Sequence, residues 1–321
     1  MKYGLLKYWE KETNIGDYIQ SIAAKQFLPR VDEYVYRDQL HNVKSNLNVI
    51  MNGWFMHETQ NWPPNNSLIP KFVSFHISDH VVNALTNSKS IEYYKKHEPI
   101  GCRDYHTQKI LEGKGIKAYF SGCLTLTLKK ENFLLNKSTG IIFSDILQHK
   151  DDAEERSFLW KIKHPHKIII NGLKNTFKSI KAYSTRHQTI TKLIPKDIIA
   201  KAKLVSNQNT KIQGQTAKFS EAERLLKIYA NAELVVTSRI HVALPCLAFG
   251  TPVIFIQPDR AVSRFEGISN LFNTFTLDQI KNTSKKELQE LFIDSSKTIK
   301  TDHIKLREAL VNDLESYFDI D

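Results

Sequence analysis

Residues 234–256 contain the clearest strand–helix–strand pattern of the chain and read LVVTSRIHVALPCLAFGTPVIFI. Two short apolar runs, Leu234–Thr237 and Val253–Ile256, have the length and the β-branched content of buried strands. The apolar segment between them predicts a helix over Ile240–Phe249, whose end Gly250 marks. Pro245 lies inside this segment, and we expect regular helix to begin only near it, because proline is tolerated in a first helical turn. The pattern is typical of parallel sheets crossed by helices.

The same alternation extends through the rest of the chain and predicts an α/β fold. Strands are predicted at Tyr3–Tyr8, Asn48–Met51, Phe72–His76, within Ala118–Leu128, and at Gly140–Phe143, Lys167–Ile170, Lys181–Ser184 and Ala202–Ser206. Helices are predicted at Gly16–Phe27, Lys89–His97, Thr107–Leu111, Glu221–Ala230 (opened by a capping box of Ser220 and Glu223), Ser284–Phe292 and His303–Phe318. The polar segment Lys129–Thr139 predicts a boundary between an N-terminal domain, 1–132, and a C-terminal domain, 133–300. A final helix in 301–321 is expected to fold back on the first domain.

The net charge and the cysteine content indicate which kinds of partner the protein can bind. The formal charge is 45 − 34 = +11, which favours partners that carry phosphate or carboxylate. The basic residues are scattered and form no stripe with aromatic residues, so we expect no nucleic-acid partner. Three cysteines without CxxC spacing predict buried free thiols and no zinc site. The N-terminus lacks the apolar core of a signal peptide, and we expect a cytoplasmic protein.

The segment from Thr237 to His241 is the most informative candidate site. Arg239 and His241 lie two residues apart at a strand-to-helix junction, where an open α/β sheet binds ligands. Histidine is the natural acid or base near neutral pH, and arginine supplies fixed positive charge beside it. Ser238 adds a hydroxyl. A lone histidine in an apolar stretch is more often a core residue, but the adjacent arginine and hydroxyls favour a functional site here.

Two further clusters occupy similar positions. Asn14, Gly16 and Asp17 follow the first predicted strand, where a glycine lets a ligand approach backbone N–H groups. Asn14 or Asp17 can instead simply cap the helix. Arg103 precedes Asp104 after another apolar run, and it is either a surface ion pair or an arginine held in place to bind an oxyanion.

Four other residues are weaker candidates for substrate binding. Asn52 follows a predicted strand, and His76 ends one. Arg186 and His187 lie in a run that resembles a strand end with an anion-binding arginine.

Taken together, these motifs resemble the polysaccharide pyruvyl transferase family. Asn14-Ile15-Gly16-Asp17, Gly101-Cys102-Arg103-Asp104 and Val236-Thr237-Ser238-Arg239-Ile240-His241, the last followed by Gly250-Thr251-Pro252, occur in the family's order. The resemblance implies two Rossmann-like domains that face each other across a cleft, as in the glycosyltransferase-B architecture. The N-terminal domain would be the acceptor side and the C-terminal domain the donor side.

The resemblance also implies an activity and roles for the candidate residues. Members of the family form a pyruvate ketal on a sugar of a surface or capsular polysaccharide, or of its precursor, with phosphoenolpyruvate as donor. By this resemblance His241 would be the general acid or base, and Arg239 and Arg103 would bind the anionic groups of the donor. Asn14, Gly16, Asp17 and Ser238 would line the cleft. The reaction implies neither a metal nor a redox cofactor.

Two alternatives to this function remain at the level of sequence. The first is a glycosyltransferase of similar fold that uses a nucleotide-activated sugar, with Glu266 in the region where a carboxylate would bind the ribose. The second is a sugar-binding module without turnover. In the pyruvyl transferase interpretation the acceptor is a nucleotide sugar or a lipid-linked oligosaccharide. The positive charge is suited to peripheral contact with the anionic inner face of a membrane.

Overall fold

A computed structural model describes residues 1–147, 186–209, 211–259 and 262–318, and it shows an α/β fold with two parallel sheets. The prediction of an α/β fold is thereby confirmed. The strands predicted at Lys167–Ile170 and Lys181–Ser184 lie outside the described residues. The division into two Rossmann-like domains at residues 132 and 133 stays a prediction.

The first sheet has six described strands in the order β2-β1-β3-β4-β5-β6, all parallel. Its strands are β1 Lys2–Lys7, β2 Glu33–Tyr36, β3 Leu47–Phe55, β4 Leu68–Ile77, β5 Ile100–Cys102 and β6 Ala118–Phe120. Strand order reverses direction between β1 and β3, and such a switch point leaves a crevice at the carboxyl ends of the two strands.

The second sheet has five described strands in the order β11-β10-β9-β7-β8, also parallel. Its strands are β7 Gly140–Ser144, β8 Lys203–Val205, β9 Ala232–Thr237, β10 Val253–Gln257 and β11 Asn273–Thr276. The same reversal occurs here between β7 and β9. Each sheet therefore has a switch point of the kind that binds ligands in doubly wound α/β proteins.

Helices connect the strands, as parallel pairing requires. They are α1 Ile15–Lys25, α2 Val82–Leu85, α3 Ser88–Lys96, α4 Tyr105–Glu112, α5 Lys196–Lys201, α6 Gln215–Ala230, α7 Ile240–Ala248, α8 Leu277–Asn282, α9 Lys285–Ser296 and α10 His303–Phe318. Residues 186–193 are also helical. No helix in the described ranges is both long and apolar enough to cross a membrane.

Buried apolar residues from both halves of the chain form one large core. Helix α1 packs on α6, where the Tyr18 and Phe219 rings meet edge to face at 5.2 Å. The Tyr18 hydroxyl also donates to Gln215 Oε1 at 3.1 Å. All three cysteines are buried and free, as predicted. This continuous packing positions the start of α1 against the second half of the chain.

Helix α10 at the C-terminal end contacts the first sheet. Asp313 accepts from Lys71 Nζ at 2.6 Å and from the Tyr119 hydroxyl at 3.1 Å, and these partners lie on β4 and β6. The Phe318 ring meets the ring of Tyr3 on β1 at 5.9 Å. The last described helix therefore returns from the end of the chain to the sheet with which the chain begins.

Helix boundaries differ from the sequence prediction at two places. Helix α7 begins at Ile240, so Pro245 lies inside it, and the prediction that regular helix starts only near Pro245 is wrong. Pro245 is the sixth residue of the helix, so it removes the one N–H bond that position 245 would donate to the His241 carbonyl, and burial of the whole helix offsets this loss. Helix α6 begins at Gln215, and the capping box at Ser220 is also wrong. Packing of α6 on α1 extends the helix beyond the local signal.

The segment Ala118–Leu128 contains only one strand. Strand β6 ends at Phe120, and residues Leu124–Thr127 form a buried 3-10 turn. This turn packs against α1, α7 and α10. Its apolar residues are buried by helices on several sides, which the sequence pattern does not distinguish from a buried strand.

Candidate active site

The carboxyl ends of strands β4 and β5 carry three titratable residues, His76, Arg103 and Asp104. Arg103 comes directly after β5, and Asp104 caps α4 by accepting from the Thr107 N–H at 2.9 Å. His76 is near the end of β4. Because the strands are parallel, their carboxyl ends meet at one edge of the sheet and bring these side chains together.

Arg103 is fully buried, and its charge is poorly compensated. Its side chain is 0% exposed. Its Nε lies 3.4 Å from Asp104 Oδ2, but Nε, Nη1 and Nη2 all lack a hydrogen-bond partner among the described residues. A buried cation without hydrogen bonds carries a large desolvation cost, and proteins keep such groups where a ligand or partner compensates them. Arg103 is thus a candidate ligand for an anion.

His241 lies in the first turn of α7, immediately after β9, and it is also buried. Its Nε2 has no hydrogen-bond partner among the described residues. A Cβ placed on Gly16 would lie 3.0 Å from His241 Cβ and 3.1 Å from His241 Nδ1. The first turn of α1 therefore touches the histidine directly, and only glycine leaves room for it.

The pKa of His241 is held well below its usual value of 6.5. Burial is the largest cause, followed by electrostatic interactions with Arg103, Arg264, His76 and Arg239. These four side chains follow or end strands of both sheets, and each disfavours the charged form of His241. His241 is consequently neutral at physiological pH and able to accept a proton.

Arg264 is a member of this cluster that sequence reasoning missed. It lies in the 3-10 turn Val262–Phe265 after β10, and its Nε has no hydrogen-bond partner in the described part of the chain. Burial first, and then the fields of Arg103 and Arg239, lower its pKa to about 10. The available signal was its position at the carboxyl end of β10, beside the predicted Arg239 site.

His76 and Asp104 form a buried pair next to Arg103. His76 Nδ1 lies 2.7 Å from Asp104 Oδ2, and His76 Nε2 lies 3.1 Å from Ser78 Oγ. Burial first, then the field of Arg103, lowers the pKa of His76 to about 3, so the ring is neutral. Burial acts to raise the pKa of Asp104, but His76, Arg103 and the Thr107 N–H outweigh it and lower the pKa to about 2. Neutral His76 donates from Nδ1 to the Thr107 hydroxyl at 3.2 Å, and that hydroxyl in turn donates to the ionised Asp104 at 2.8 Å.

Arg239 and Ser238 are positioned by different contacts. The Arg239 side chain is 25% exposed, and its Nε lies 3.7 Å from Asp145 Oδ2. The Ser238 hydroxyl donates to Ile256 O at 2.7 Å and accepts from Leu147 N at 2.9 Å. Ser238 thus connects β9 to β10 and to the residues after β7. Its contact with substrate stays a prediction.

The polar residues at the start of α1 form a second, acidic network. Asn14 caps the helix through Gly16 N at 3.2 Å and donates to Asp17 Oδ1 at 3.1 Å. Asp17 also accepts from buried Arg37 Nη1 at 3.2 Å. Burial is the largest influence on the Asp17 carboxyl and raises its pKa, against the field of Arg37. Of the two interpretations of Asn14, helix capping and ligand binding, the structure shows the capping hydrogen bond.

The remaining three candidate residues lie on other elements: Asn52 on β3, and Arg186 and His187 in a helical segment. Asn52 is buried on β3, and its Nδ2 donates to Gln20 O at 3.1 Å. Arg186 and His187 begin the helical segment 186–193, and the strand predicted before them lies outside the described residues, so the interpretation of this run as a strand end stays a prediction. The His187 carbonyl accepts from Thr191 Oγ1 at 2.8 Å, one helical turn further on. Roles of these three residues in substrate binding stay predictions.

The site combines buried Arg103 and the partly buried Arg239 and Arg264 with a neutral histidine, and residues that follow strands of both sheets contribute to it. Such an arrangement can bind a compact anion with more than one negative charge and can accept a proton beside it. No group of three or more histidine, cysteine, aspartate or glutamate side chains in the described ranges is arranged to hold a metal ion. The molecule is therefore an α/β protein with a cationic site at the carboxyl ends of the strands of two parallel sheets.

Comparison with known proteins names the family. The family model described as polysaccharide pyruvyl transferase matches residues 14–260, which include Arg103, Arg239 and His241. The chain therefore belongs to the polysaccharide pyruvyl transferase family, a family of transferases. No curated protein matches the chain. Among solved structures, it is similar to a functionally uncharacterised protein from Klebsiella pneumoniae subsp. pneumoniae NTUH-K2044. The two share 12% identity and a TM-score of 0.42, over 85% of this chain and 92% of that one.

Proposed function

We propose that the protein transfers a pyruvyl group from phosphoenolpyruvate to a sugar of a surface or capsular polysaccharide or its precursor, forming a pyruvate ketal. The observation that carries this proposal is the buried Arg103 guanidinium, whose three nitrogens lack hydrogen-bond partners among the described residues, next to neutral His241. Phosphoenolpyruvate offers a carboxylate and a phosphate to such a site. Both groups match the fork of an arginine.

In this proposal the arginines bind the donor and stabilise the departing phosphate. Arg103, Arg264 and Arg239 already lie around His241, and their fields lower its pKa. Positive groups fixed in place before the reaction need no reorganisation when negative charge develops on the leaving group. The same arginines repel one another until an anion binds, which favours a multiply charged donor over a neutral ligand.

His241 is proposed to move the protons of the reaction. When the anionic donor binds and neutralises the surrounding arginines, His241 takes up a proton from solvent. It gives that proton to the methylene carbon of phosphoenolpyruvate, and cationic character develops at the adjacent carbon. A sugar hydroxyl attacks that carbon and loses its proton to the base. The bond to the phosphate oxygen then breaks, inorganic phosphate leaves, and a second hydroxyl attacks the same carbon and releases its proton. The products are the ketal and phosphate, and no electrons are transferred, so the balance requires no redox cofactor.

The direct test is calorimetric titration with phosphoenolpyruvate and, separately, with UDP- and GDP-sugars. We expect saturable binding of phosphoenolpyruvate, lost in Arg239→Ala. Binding of a nucleotide sugar alone would support the glycosyltransferase alternative, although such a sugar can also be the acceptor. Phosphate release from phosphoenolpyruvate with both ligands present decides between them. If phosphate is never released and sugar still binds, the protein is a binding module.

For the glycosyltransferase alternative, the structure shows what surrounds Glu266. Its Oε2 lies 3.0 Å from Lys109 Nζ on α4, and its carbonyl accepts from Tyr105 N at 3.2 Å. These contacts connect the segment after β10 to the start of α4. A ribose at Glu266 would compete with Lys109 for the carboxylate, so this alternative has no contact in its favour.

We also propose that the acceptor is presented at the inner face of a membrane, where the protein is peripherally bound. The net charge of +11 supports attraction to anionic lipid. Flotation with vesicles that contain anionic lipid should carry the protein at low salt and release it at high salt. Failure to float at low salt would contradict this part of the proposal.

A further inference from the structure

A pocket lies at the carboxyl ends of the first three strands of the first sheet, outside the cationic cluster. It encloses a volume of about 430 Å³, open to solvent, and is lined by Trp9, Tyr36, Asp38, Gln39, His57 and Glu58. Trp9 comes just after β1, Tyr36 ends β2, and His57 comes just after β3. This is the switch point of the sheet, where doubly wound folds bind ligands. We propose that this pocket is the acceptor subsite and binds one pyranose ring of the acceptor sugar, an inference that rests on the proposed function.

The lining has the chemistry that recognises a sugar ring. Trp9 is 54% exposed, so its ring is accessible to a ligand in the pocket, and Lys11 Nζ lies 5.7 Å from its centroid. The C–H groups on one face of a pyranose are apolar and slightly positive, and they pack on the negative face of an indole ring. Glu58, Gln39 and His57 supply hydrogen-bonding groups at the rim for the hydroxyls.

Asp38 holds this rim in place. Its Oδ1 accepts from the backbone N–H groups of His57 at 2.6 Å and Glu58 at 2.9 Å, and its Oδ2 accepts from buried Arg37 Nε at 3.1 Å. Glu58 Oε2 also accepts from Asn61 Nδ2 at 2.7 Å. The two rim residues are thus positioned before a ligand arrives, which reduces the entropic cost of binding.

Direct contacts lead from the pocket to His241. His57 Nε2 lies 3.4 Å from Glu12 Oε2, and Glu12 Oε1 accepts from Asn14 N at 2.9 Å. Asn14 caps α1, and Gly16 in the first turn of that helix touches His241. A ketal needs two hydroxyls of one ring at the same carbon. A ring that stacks by its face on Trp9 leaves its edge, with both hydroxyls, free to face the donor.

The inference is tested by saturation-transfer difference NMR on the full chain. The probes are the methyl pyranosides of glucose, galactose and mannose, with uridine monophosphate as a base-stacking comparison. Four proteins are compared: the wild type, Trp9→Ala, Trp9→Phe and Tyr317→Ala. Tyr317 is an exposed aromatic residue on α10, 40% exposed, and serves as the matched control. Phosphoenolpyruvate binding by calorimetry is measured on the same samples.

We expect at least one pyranoside to bind the wild type and Tyr317→Ala, with affinity about tenfold lower in Trp9→Ala and mostly retained in Trp9→Phe. Phosphoenolpyruvate binding should be equal in all four. No pyranoside binding to the wild type, equal binding to Trp9→Ala, or loss of uridine monophosphate binding in Trp9→Ala would each overturn the inference. If the sugar result holds while phosphoenolpyruvate fails to bind, the subsite stands and the proposed donor is wrong.

Discussion

Replacing Arg103 by methionine should separate anion binding from stability. The wild-type side chain is 0% exposed, has no hydrogen-bond partner among the described residues, and has Asp104 as an ion-pair neighbour at 3.4 Å. Charged hydrogen bonds contribute about 1.5 to 3 kcal/mol each, so loss of two such bonds costs about 3 to 6 kcal/mol of donor binding. Calorimetry should therefore show phosphoenolpyruvate affinity reduced roughly 100- to 10,000-fold.

The same substitution should leave the stability of the protein unchanged or increase it. Asp104 keeps its contacts with His76 and with the Thr107 N–H and hydroxyl when Arg103 is removed. Methionine fills the space without a desolvation cost, and loss of the Arg103 field raises the pKa of His76, so that His76 can replace Arg103 as the counter-charge of Asp104. We expect the free energy of unfolding, measured by urea denaturation, to change by less than about 1 kcal/mol or to increase.

Arg37→Met is the matched control. Arg37 is equally buried, at 1% exposed, but it pairs with Asp17 at 3.2 Å and Asp38 at 3.1 Å. Its removal leaves a buried carboxylate without its counter-charge, and we expect a loss of about 3 to 5 kcal/mol in the free energy of unfolding. If Arg103→Met destabilises the protein as much as Arg37→Met and still binds phosphoenolpyruvate normally, Arg103 is a structural residue and the reasoning is refuted.

Two further predictions concern His241 and its neighbour. Burial first, and then the surrounding cations, keep its pKa well below 6.5. An anion that neutralises the cations should raise that pKa, so donor binding takes up a proton. At about pH 8, where the donor phosphate is already ionised, the binding enthalpy should vary with the ionisation enthalpy of the buffer in the wild type and not in His241→Asn. Equal dependence in both proteins would contradict this. Gly16→Ala places a Cβ 3.0 Å from His241 Cβ. It should reduce phosphate release about tenfold or more through displacement of the ring, with little change in urea midpoint, because alanine favours the helix. Unchanged turnover would show that the ring does not need its present position.

Much of the secondary structure could be predicted from local pattern. Strand β9 and the strand that follows it were expected within two residues of their observed bounds, because short apolar runs beside glycine and proline have few other interpretations. Helix starts were less predictable. Packing of α6 against α1 extends the helix past Ser220, and the start of α7 does not depend on Pro245. Tertiary contacts outweigh local signals of about 1 kcal/mol in such cases.

The sequence predicts that arginine and histidine form the site, but it does not identify every residue that belongs to it. Arg103, Arg239 and His241 could be selected because charged residues that follow apolar strands lie at the edge of the sheet that binds ligands. Arg264 was missed because it lies in a short turn with no periodic pattern. Arg186 and His187 are helical, and the strand predicted before them lies outside the described residues. Spacing along the chain does not reveal which loops fold over the same edge.

The sequence by itself determined the α/β class, the central strands of each sheet and the two arginine-containing junctions, because these depend on patterns a few residues long. Only the tertiary structure decided the electrostatic state of the site. The depressed pKa of His241 arises from burial and from four positive or titratable groups far apart in sequence. Likewise, the contact of Gly16 with His241 joins residues 225 positions apart (241 − 16 = 225). Desolvation and Coulomb interactions depend on distance in space, which local sequence does not specify.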